Sequence, residues 1–464
     1  MKSDTIPASG SEARLTATSR TAGLLLVLVI AAIVRGGVLF ALFGQLQADP
    51  DAYRQIAENL LKHHSFALDL PAADDTGSER EPSLKQATFK PTAYRPPLYP
   101  CLLAVTNLGL EQVSPLRVAV LHWLLGVGAA GLTWLAASRL GLGWGAFLAA
   151  ALVMCDPILL NQSALVMTET LATFLATLAV WAWLRLVDRP NGWNAALVGA
   201  SIGLAAICRP TFLPWLALLV LLLLAVRGAN ESLQNFLTRV RFAVVISAVA
   251  LLVLSPWIVR NQRTFGKPMV ATTHGGYTLL LGNNPAYYDY LQRGDHSIPW
   301  PASDPRFQEL LPQPGPPVSD EFAYDATTKR LALETIQAQP RMFLRASLDR
   351  VFQLWNPLPH RTSLSPSVGR ELLRFATCAW YVIVLGAAVL GVVKLRGRLL
   401  SLSWLGLLLL CLTFTLMHSV YWSNLRMRAP LMPVVALLAA AGATSLAGGR
   451  KLPVEQPSES ASRE

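Results

Sequence analysis

The chain alternates long runs of apolar residues with short polar segments, and two longer polar stretches interrupt this pattern. Several runs are rich in Leu, Ala and Val on every face, as from Leu216 to Val226, which indicates helices that contact lipid or other helices. A helix of about 20 apolar residues crosses a bilayer. The pattern therefore predicts about ten transmembrane helices, near residues 22–46, 116–137, 143–160, 165–187, 193–209, 212–227, 239–259, 372–393, 399–418 and 427–447.

The first polar stretch, residues 47–115, is predicted to form an outer loop. It opens on Asp49 to Asp51, and apolar residues then recur at helical spacing from Tyr53 to Leu61. This spacing predicts an amphipathic helix that lies in the interface plane with its apolar face towards the membrane. Residues 71–90 are polar without periodicity, which predicts a mobile loop.

The second polar stretch, residues 260–371, has a soluble composition and predicts two helices near 320–338 and 340–355. No internal repeat and no pair of broken helices, as in many secondary transporters, is evident. The predicted fold is an all-α polytopic membrane protein with a mixed, mainly helical outer segment. Its predicted parts are a cytoplasmic tail (1–21), a transmembrane module (22–259) that contains the outer loop (47–115), an outer soluble segment (260–371), C-terminal transmembrane helices (372–447) and a second cytoplasmic tail (448–464).

Composition and charge agree with this pattern and orient it. Hydrophobic residues make up 53% of the 464 residues and charged residues 14%, too few charges to coat a soluble globule. An even span count puts both termini on one side, and the short loops opposite hold only Arg209, Arg426 and Arg428. By the positive-inside rule we predict a plasma (inner) membrane protein with cytoplasmic termini. The basic residues of that side are Lys2, Arg14, Arg20, Arg139, Arg185, Arg189, Arg227, Arg239, Arg241, Lys394, Arg396, Arg398, Arg450, Lys451 and Arg463.

Several classes of function are excluded by what the chain lacks. The net charge of +11 follows from membrane topology, and no basic stripe interleaved with aromatic residues indicates nucleic-acid binding. The five cysteines fit no disulfide framework, zinc site or redox motif, and the seven histidines form no ligand cluster. There is no Walker loop and no dinucleotide-binding glycine motif. Neither a cofactor nor a histidine- or cysteine-based metal site is predicted.

Asp49 and Asp51 lie where the first span meets the outer surface. Three interpretations stay open for them. A carboxylate at a helix start caps the free backbone amides. At this depth it can also serve as a general base beside a lipid phosphate. The third interpretation is an Asp-x-Asp pair that binds a divalent metal.

Three cations and one carboxylate stand at the edges of other spans. The prolines between Tyr94 and Pro100 predict a fixed, extended elbow that returns to the membrane. Arg95 in this elbow, and Arg209 after the fifth span, either extend towards headgroups or bind a phosphate. Glu169 opens the fourth span, where the helix dipole also favours a carboxylate. Arg260 ends the seventh span, as interfacial residues often do, or belongs to a site.

Arg35 lies inside the first span, where a charge costs a few kcal/mol and needs a reason. It either pairs with an acidic group or marks a locally thinner bilayer.

Taken in order, these motifs resemble the GT-C membrane glycosyltransferases, in particular the protein mannosyltransferase-like and lipid A aminoarabinose transferase-like branch. The resemblance covers about residues 24 to 445 and rests on the order and placement of the motifs. They are Asp49 to Tyr53, Tyr94 to Pro100, Thr168-Glu169, Arg209-Pro210, Pro256 to Asn261, His274 to Pro285 and Leu425 to Pro433.

The resemblance implies an inverting enzyme that moves a sugar from a polyprenyl-phosphate donor to an acceptor on the extracytoplasmic face. It implies a catalytic aspartate at Asp49, and Asp51 is retained as a second candidate. The aminoarabinose enzymes have Lys-Pro-Pro-Leu where this chain has Arg95-Pro-Pro-Leu, and Lys-Gly-Pro near Arg209, so a cation for the donor phosphate is kept at both places. Residues expected to position donor or acceptor are Glu169, Tyr53, Tyr94 and Arg260.

The expected partners are a polyprenyl-phosphate-linked sugar, membrane lipid and a glycan, lipid or protein acceptor, for a hexosyl- or pentosyltransferase. The main alternative is a transporter or flippase of lipid-linked sugars. A transporter should place its ionisable residues near the midplane and show repeat symmetry. Here every candidate except Arg35 lies at one face, which favours an enzyme.

Overall fold

The computed structural model describes residues 17–69, 89–225, 232–293, 300–313, 320–361 and 366–447. Almost all of the regular structure is helical. The first span is α1 (Ala17–Ala41), and a 3₁₀ turn follows at Phe43–Gln47. The first outer loop then contains α2 (Tyr53–His63), the antiparallel strands β1 (Ala67–Asp69) and β2 (Phe89–Pro91), and α3 (Leu98–Thr106).

The predicted amphipathic helix is present as α2, but its apolar face is buried against α3 and does not face the membrane as predicted. Two further details of the first outer loop differ from the sequence prediction. Residues 71–88 of the predicted mobile loop lie outside the described residues, whereas Phe89 and Lys90 belong to β2. The elbow is no longer extended at Pro97, whose backbone is already helical, and α3 begins at Leu98. Pro100 falls in its first turn, where a helix needs no N–H.

The central part of the chain forms a bundle of closely packed helices. They are α4 (Pro115–Arg139), α5 (Gly145–Met154), α6 (Pro157–Ser163), α7 (Glu169–Asp188), α8 (Gly192–Cys208), a 3₁₀ turn at Pro210–Phe212, α9 (Leu213–Ala225) and α10 (Leu233–Phe265). Helix α10 continues well past the predicted end of the seventh span at residue 259, and Pro256 lies inside it.

The second outer segment consists of short helices and two longer ones. The short helices are α11 (Gly275–Gly282), α12 (Pro285–Arg293) and α13 (Pro305–Gln308). The longer ones, α14 (Glu321–Ala338) and α15 (Pro340–Trp355), match the predicted pair. The chain then returns through α16 (Val368–Leu395), α17 (Leu402–Val420), a 3₁₀ segment at Leu425–Leu431 and α18 (Met432–Ala447).

Seven helices in the described part of the chain are long and apolar enough to cross a membrane, or eight if the bent pair α5–α6 is one span. The remaining two predicted spans correspond to the shorter apolar helices α8 and α9. Large apolar side chains such as Ile33, Phe40, Leu252 and Leu372 are exposed along the bundle, as expected of helices that face lipid. The prediction of an all-α polytopic membrane protein is confirmed.

Close packing in the bundle depends on small residues. A side chain at Gly391 of α16 would run into the carbonyl oxygen of Leu438, and one at Gly442 of α18 would run into that of Ala387. The two glycines face each other's helix, so the backbones of α16 and α18 come into direct contact. Small residues at such interfaces are a general feature of membrane helices, which associate by close packing because lipid is as apolar as their side chains.

A broken span was not expected, yet α5 and α6 are bent by 46° at a break after Met154. Asp156 stands at this break and caps α6, accepting a hydrogen bond from the amide of Leu159 at 2.9 Å. Its carboxylate also accepts from the hydroxyl of Tyr381 at 2.8 Å. The buried guanidinium of Arg428 packs over the ring of Tyr381, 4.1 Å from the ring centroid.

Arg35 reaches the same break from α1. Its Nη2 donates to the carbonyl oxygen of Val153 at 3.1 Å, and Asp156 acts on it electrostatically. Gly126 of α4 makes room for it, because a side chain there would collide with the guanidinium. The structure places Asp156 close enough for its charge to act on Arg35, but among the described residues the two side chains form no direct ion pair, and the hydrogen bond of Arg35 goes to Val153.

Candidate active site

Asp49 lies between the 3₁₀ turn and α2, at the end of the bundle that carries both outer segments. We call this end the loop end. Its Oδ2 accepts a hydrogen bond from the backbone amide of Gln55 at 3.0 Å, which satisfies a free amide in the first turn of α2. Its Oδ1 is buried and has no hydrogen-bond partner in the described part of the chain. Ala52 adopts a left-handed conformation, φ 60°, and this sharp turn brings Asp49 back over the helix start.

Asp51 does not cap the helix but pairs with Arg95. The Nη2 of Arg95 lies 2.9 Å from Oδ1 of Asp51, and its Nε donates to the carbonyl oxygen of the same residue at 2.9 Å. The guanidinium also lies over the rings of Tyr53 and Tyr94, with distances of 5.5 and 4.9 Å to the centroids. Arg95 is therefore fixed in one orientation, and among the described residues its Nη1 donates no hydrogen bond.

A second ion pair joins the start of α7 to the end of α8. Glu169 is fully buried, and the Nη2 of Arg209 lies 2.8 Å from its Oε1. The Nε of Arg209 donates to the hydroxyl of Thr168 at 3.0 Å. As predicted, Glu169 is the first residue of a helix. Its carboxylate therefore interacts favourably both with the helix dipole and with the guanidinium of Arg209.

The two ion pairs meet around Tyr53, the first residue of α2. Burial raises the pKa of Tyr53 to about 12, and the charges of Arg95, Asp51, Arg209 and Glu169 all act on it. Its ring packs edge-to-face on Tyr99 at 5.3 Å. The structure thus brings together residues that are far apart in the sequence but were predicted to share a site.

Two aromatic residues that the sequence prediction did not assign to the site complete the surroundings of Arg95. His274 packs on Tyr94 at 4.5 Å between ring centroids and stacks on Tyr277 at 5.2 Å. Its Nδ1 is buried with no partner within the described residues. Burial, and then the positive charge of Arg95, hold the pKa of His274 well below its usual range. The resemblance of the segment from His274 to Pro285 to family members was the only sequence signal for both residues.

Arg260 lies apart from the ion pairs. Its Nη1 donates to the carbonyl oxygen of Thr92 at 2.7 Å, and its Nη2 donates to that of Phe66 at 3.0 Å. The guanidinium is also packed against the rings of Phe66, Trp257 and Phe265. These contacts tie the first outer loop to α10, so within the described residues Arg260 supports the loop without touching the candidate site residues.

The donor atoms for a metal are sparse in this region. Within the described ranges, no group of three or more His, Cys, Asp and Glu side chains is placed to hold a metal ion. Asp49 and Asp51 have different partners, an amide and a guanidinium. Nothing in their contacts favours the interpretation of a shared divalent metal.

Comparison with known families agrees with the sequence resemblance. Residues 94–259 match the family described as dolichyl-phosphate-mannose-protein mannosyltransferase. The match includes Tyr94, Arg95, Glu169 and Arg209. A comparison with curated protein sequences finds no match.

Solved structures share the fold at low identity. The apo oligosaccharyltransferase of Archaeoglobus fulgidus aligns with 90% of this chain at 15% identity and a TM-score of 0.51, covering 50% of its own length. The oligosaccharyltransferase AglB of the same organism, in complex with an inhibitory peptide and a dolichol-phosphate, aligns with 94% at 15% identity and a TM-score of 0.50. This chain covers 53% of that protein, so it spans about half of the length of both. ArnT from Cupriavidus metallidurans bound to undecaprenyl phosphate aligns with 92% of this chain, covering 79% of its own, at 14% identity and a TM-score of 0.38.

The family match and the shared fold confirm the predicted similarity of this chain to the GT-C membrane glycosyltransferases, including their mannosyltransferase-like members. The chain has the membrane fold of this class.

Proposed function

We propose that the protein is an inverting glycosyltransferase that moves a sugar from a polyprenyl-phosphate donor to an acceptor at the loop end. The observation that supports this most strongly is the environment of Asp49. One of its carboxylate oxygens is anchored to the start of α2, and the other is buried without a partner among the residues that the structure describes. A carboxylate held in this way is oriented and still able to accept a proton from a ligand.

The chemistry needs one base and a stabilised leaving group. Asp49 takes the proton of an acceptor hydroxyl or amine, whose oxygen or nitrogen attacks the anomeric carbon. The bond from that carbon to the phosphate oxygen breaks, and its electron pair stays on the polyprenyl phosphate. Arg95 and Arg209, each with Nη1 unused among the described residues, stabilise the charge that develops there. A phosphate leaves readily, so no general acid is required.

Asp51 has the other role of keeping Arg95 in place. Its Oδ1 and its carbonyl oxygen hold two of the guanidinium nitrogens. Tyr53 and Tyr94 pack against the same cation, and Glu169 holds Arg209. The proposed roles of the predicted site residues therefore differ: Asp49 reacts, whereas Asp51, Tyr53 and Tyr94 orient Arg95.

The position of the site supports the proposal of a lipid-linked donor. The exposed apolar side chains of the bundle reach the loop end along α1, where Phe40 is 88% exposed a few residues before Asp49. A phosphate headgroup at the edge of a bilayer lies at this depth, with its chain in the hydrocarbon. We place the protein in the plasma (inner) membrane with this end outside.

The proposal is tested with purified protein in lipid nanodiscs. A labelled polyprenyl-phosphate sugar should be transferred without added nucleotide. The matched arm uses the same sugar as a soluble nucleotide derivative. Efficient transfer from the nucleotide sugar, with none from the lipid-linked sugar, would contradict the proposed donor.

Asp49→Asn should lower turnover by about 10²- to 10⁴-fold, the usual contribution of general base catalysis. Donor binding should be kept, because the amide still fits the site. Asp51→Asn should lose less, since the carbonyl oxygen of residue 51 still holds Arg95. Single-turnover rates and donor affinities of both variants measure this. If Asp51→Asn is inactive while Asp49→Asn keeps nearly wild-type turnover, the two residues have the opposite roles.

A further inference from the structure

Glu169 is approached by arginines from two different elements. Besides Arg209, the Nε of Arg426 in the 3₁₀ segment Leu425–Leu431 lies 3.6 Å from Oε1 of Glu169. The other oxygen, Oε2, is buried and has no hydrogen-bond partner among the described residues, and neither has the Nε of Arg426. An acceptor and a donor of the same ion pair are thus unused in a buried place.

Apart from the hydrogen bond between the Nε of Arg209 and Thr168, the remaining contacts of these arginines are weak. Nη1 of Arg426 donates to the sulfur of Met167 at 3.0 Å, and Nη2 of Arg209 lies 3.8 Å from the sulfur of Met427. A thioether sulfur is a poor acceptor. Buried polar groups are normally paired, so unpaired ones in a native structure need an explanation. A ligand that pairs with both Oε2 and Arg426 supplies one.

The chemistry of these two atoms selects the ligand. The carboxylate oxygen needs a donor, which the oxygens of an ionised phosphate cannot provide. An ammonium group would be repelled by two guanidinium groups. A neutral hydroxyl group both donates to Oε2 and accepts from Arg426. Among the components of the proposed reaction, the donor sugar carries such hydroxyl groups.

We propose that Glu169 and Arg426 form a subsite for hydroxyl groups of the donor sugar. This inference rests on the proposed function, in which Arg209 holds the donor phosphate. Because Arg209 and Arg426 share Glu169, the subsite lies next to that phosphate. The hydroxyl group nearest to the anomeric carbon is therefore the one that Glu169 binds. The side chain of Arg426 is 32% exposed, so the buried Nε and the buried Oε2 of Glu169 lie next to accessible surface.

The test compares a bare and a glycosylated lipid on the full-length protein in nanodiscs. The probes are decaprenyl phosphate and decaprenyl phosphate linked to mannose, glucose, galactose or arabinose, with the tightest-binding sugar used further. Arg426→Gln should bind decaprenyl phosphate within about twofold of wild type, and the glycosylated lipid about ten- to a hundredfold more weakly. The matched control is Arg330→Gln, an exposed arginine paired with Glu334 on α14, which should bind both lipids as wild type does.

A second measurement uses the 2-deoxy analogue of the same glycosylated lipid. Wild-type protein should bind the analogue more weakly than the parent, and this difference should largely disappear in Arg426→Gln and in Glu169→Gln. Equal weakening of bare and glycosylated lipid in Arg426→Gln would make Arg426 a phosphate ligand and overturn the subsite. Wild-type affinity of Arg426→Gln for both lipids would overturn it too. If the wild-type protein binds neither lipid, the proposed function itself fails.

Discussion

At the scale of single residues, the carboxylates of the loop end differ in which of their oxygens are engaged. Asp51 gives its side-chain and backbone oxygens to one arginine, whereas Asp49 and Glu169 each keep one buried oxygen without a partner in the described structure. The sequence identified these residues through their position at span ends, where a charge needs a reason. It could not identify which arginine pairs with which carboxylate, because the partners lie 40 or more residues apart.

Arg95→Ala should slow transfer by about 10²- to 10³-fold, as expected when a fixed donor to a developing negative charge is removed. Arg95→Lys should retain part of the rate, since a charge remains but the two-pronged contact with Asp51 is lost. The double variant Asp51→Ala/Arg95→Ala separates the two effects. If the double variant is no slower than Arg95→Ala, Asp51 acts through Arg95; a further large loss would give Asp51 a role of its own.

The pKa of His274 lies well below its usual range because burial and Arg95 disfavour the imidazolium. In the unfolded chain this histidine binds a proton near pH 6.5. The unfolded state therefore binds more protons than the folded state below that pH, and stability should fall as the pH drops through about 6.5. His274→Gln should remove part of this fall, which thermal unfolding at pH 7.5 and 5.5 measures. The exposed His63 of α2 provides the control variant His63→Gln, in which the pH dependence should persist.

At the scale of elements, the apolar pattern predicted the seven long apolar helices, because a span needs about 20 apolar residues, and it placed the bent pair α5–α6 and the shorter helices α8 and α9 as spans too. The apolar pattern did not predict features that depend on the backbone conformation of a few residues. Pro157 is the first residue of α6, a position that is also common in unbroken helices, so it did not indicate the break between α5 and α6. The buried position of Asp156 at this break involves residues of α1 and α16, which are distant in the sequence. The short strand pair β1–β2 was missed because three residues give no period.

Arg260 makes an element-scale prediction. It holds the backbone of Phe66 and Thr92, next to β1 and β2, against α10. Arg260→Lys cannot make both contacts in the same geometry. The amides of β1 and β2 should exchange hydrogen faster in this variant, as followed by hydrogen exchange with mass spectrometry. Arg263→Lys, on the same helix and exposed, should leave the exchange unchanged. Wild-type exchange in Arg260→Lys would leave the ring contacts of Arg260 as its main role.

At the scale of the whole molecule, the site residues come from five separate stretches of sequence and converge at one end of the bundle. This convergence could be predicted, since the ends of successive antiparallel spans alternate between two faces. The role of α14 could not. Glu321, its first residue, accepts hydrogen bonds from the hydroxyl of Thr92 and the amide of Ala93. The second outer segment thereby holds the stretch that leads into Tyr94 and Arg95, which no sequence pattern indicated.

The orientation of the bundle is a prediction from the distribution of Lys and Arg. Reporter fusions at Ala73 and Ser319 should report an extracytoplasmic position, and fusions at Arg139, Arg189 and Arg398 a cytoplasmic one. The control repeats the same fusions with a second reporter that is active only on the opposite side of the membrane. A cytoplasmic signal from the Ser319 fusion would put the loop end and the proposed active site in the cytoplasm, which contradicts the proposed transfer on the extracytoplasmic face.

The contact between Arg35 and the break at Asp156 has a consequence for biogenesis. The ribosome makes α1 first, and Asp156 follows more than a hundred residues later, roughly 10 s at ordinary rates of synthesis. During this delay the guanidinium lies in the first span without the carbonyl of Val153 and without the nearby charge of Asp156. The strong hydropathy of α1 suffices for insertion, since one arginine costs only about 2.5–3.5 kcal/mol on the translocon scale. The first span can therefore insert before the surroundings of Arg35 have been made, and Arg35 gains the carbonyl of Val153 and the nearby charge of Asp156 only when α5 and α6 follow.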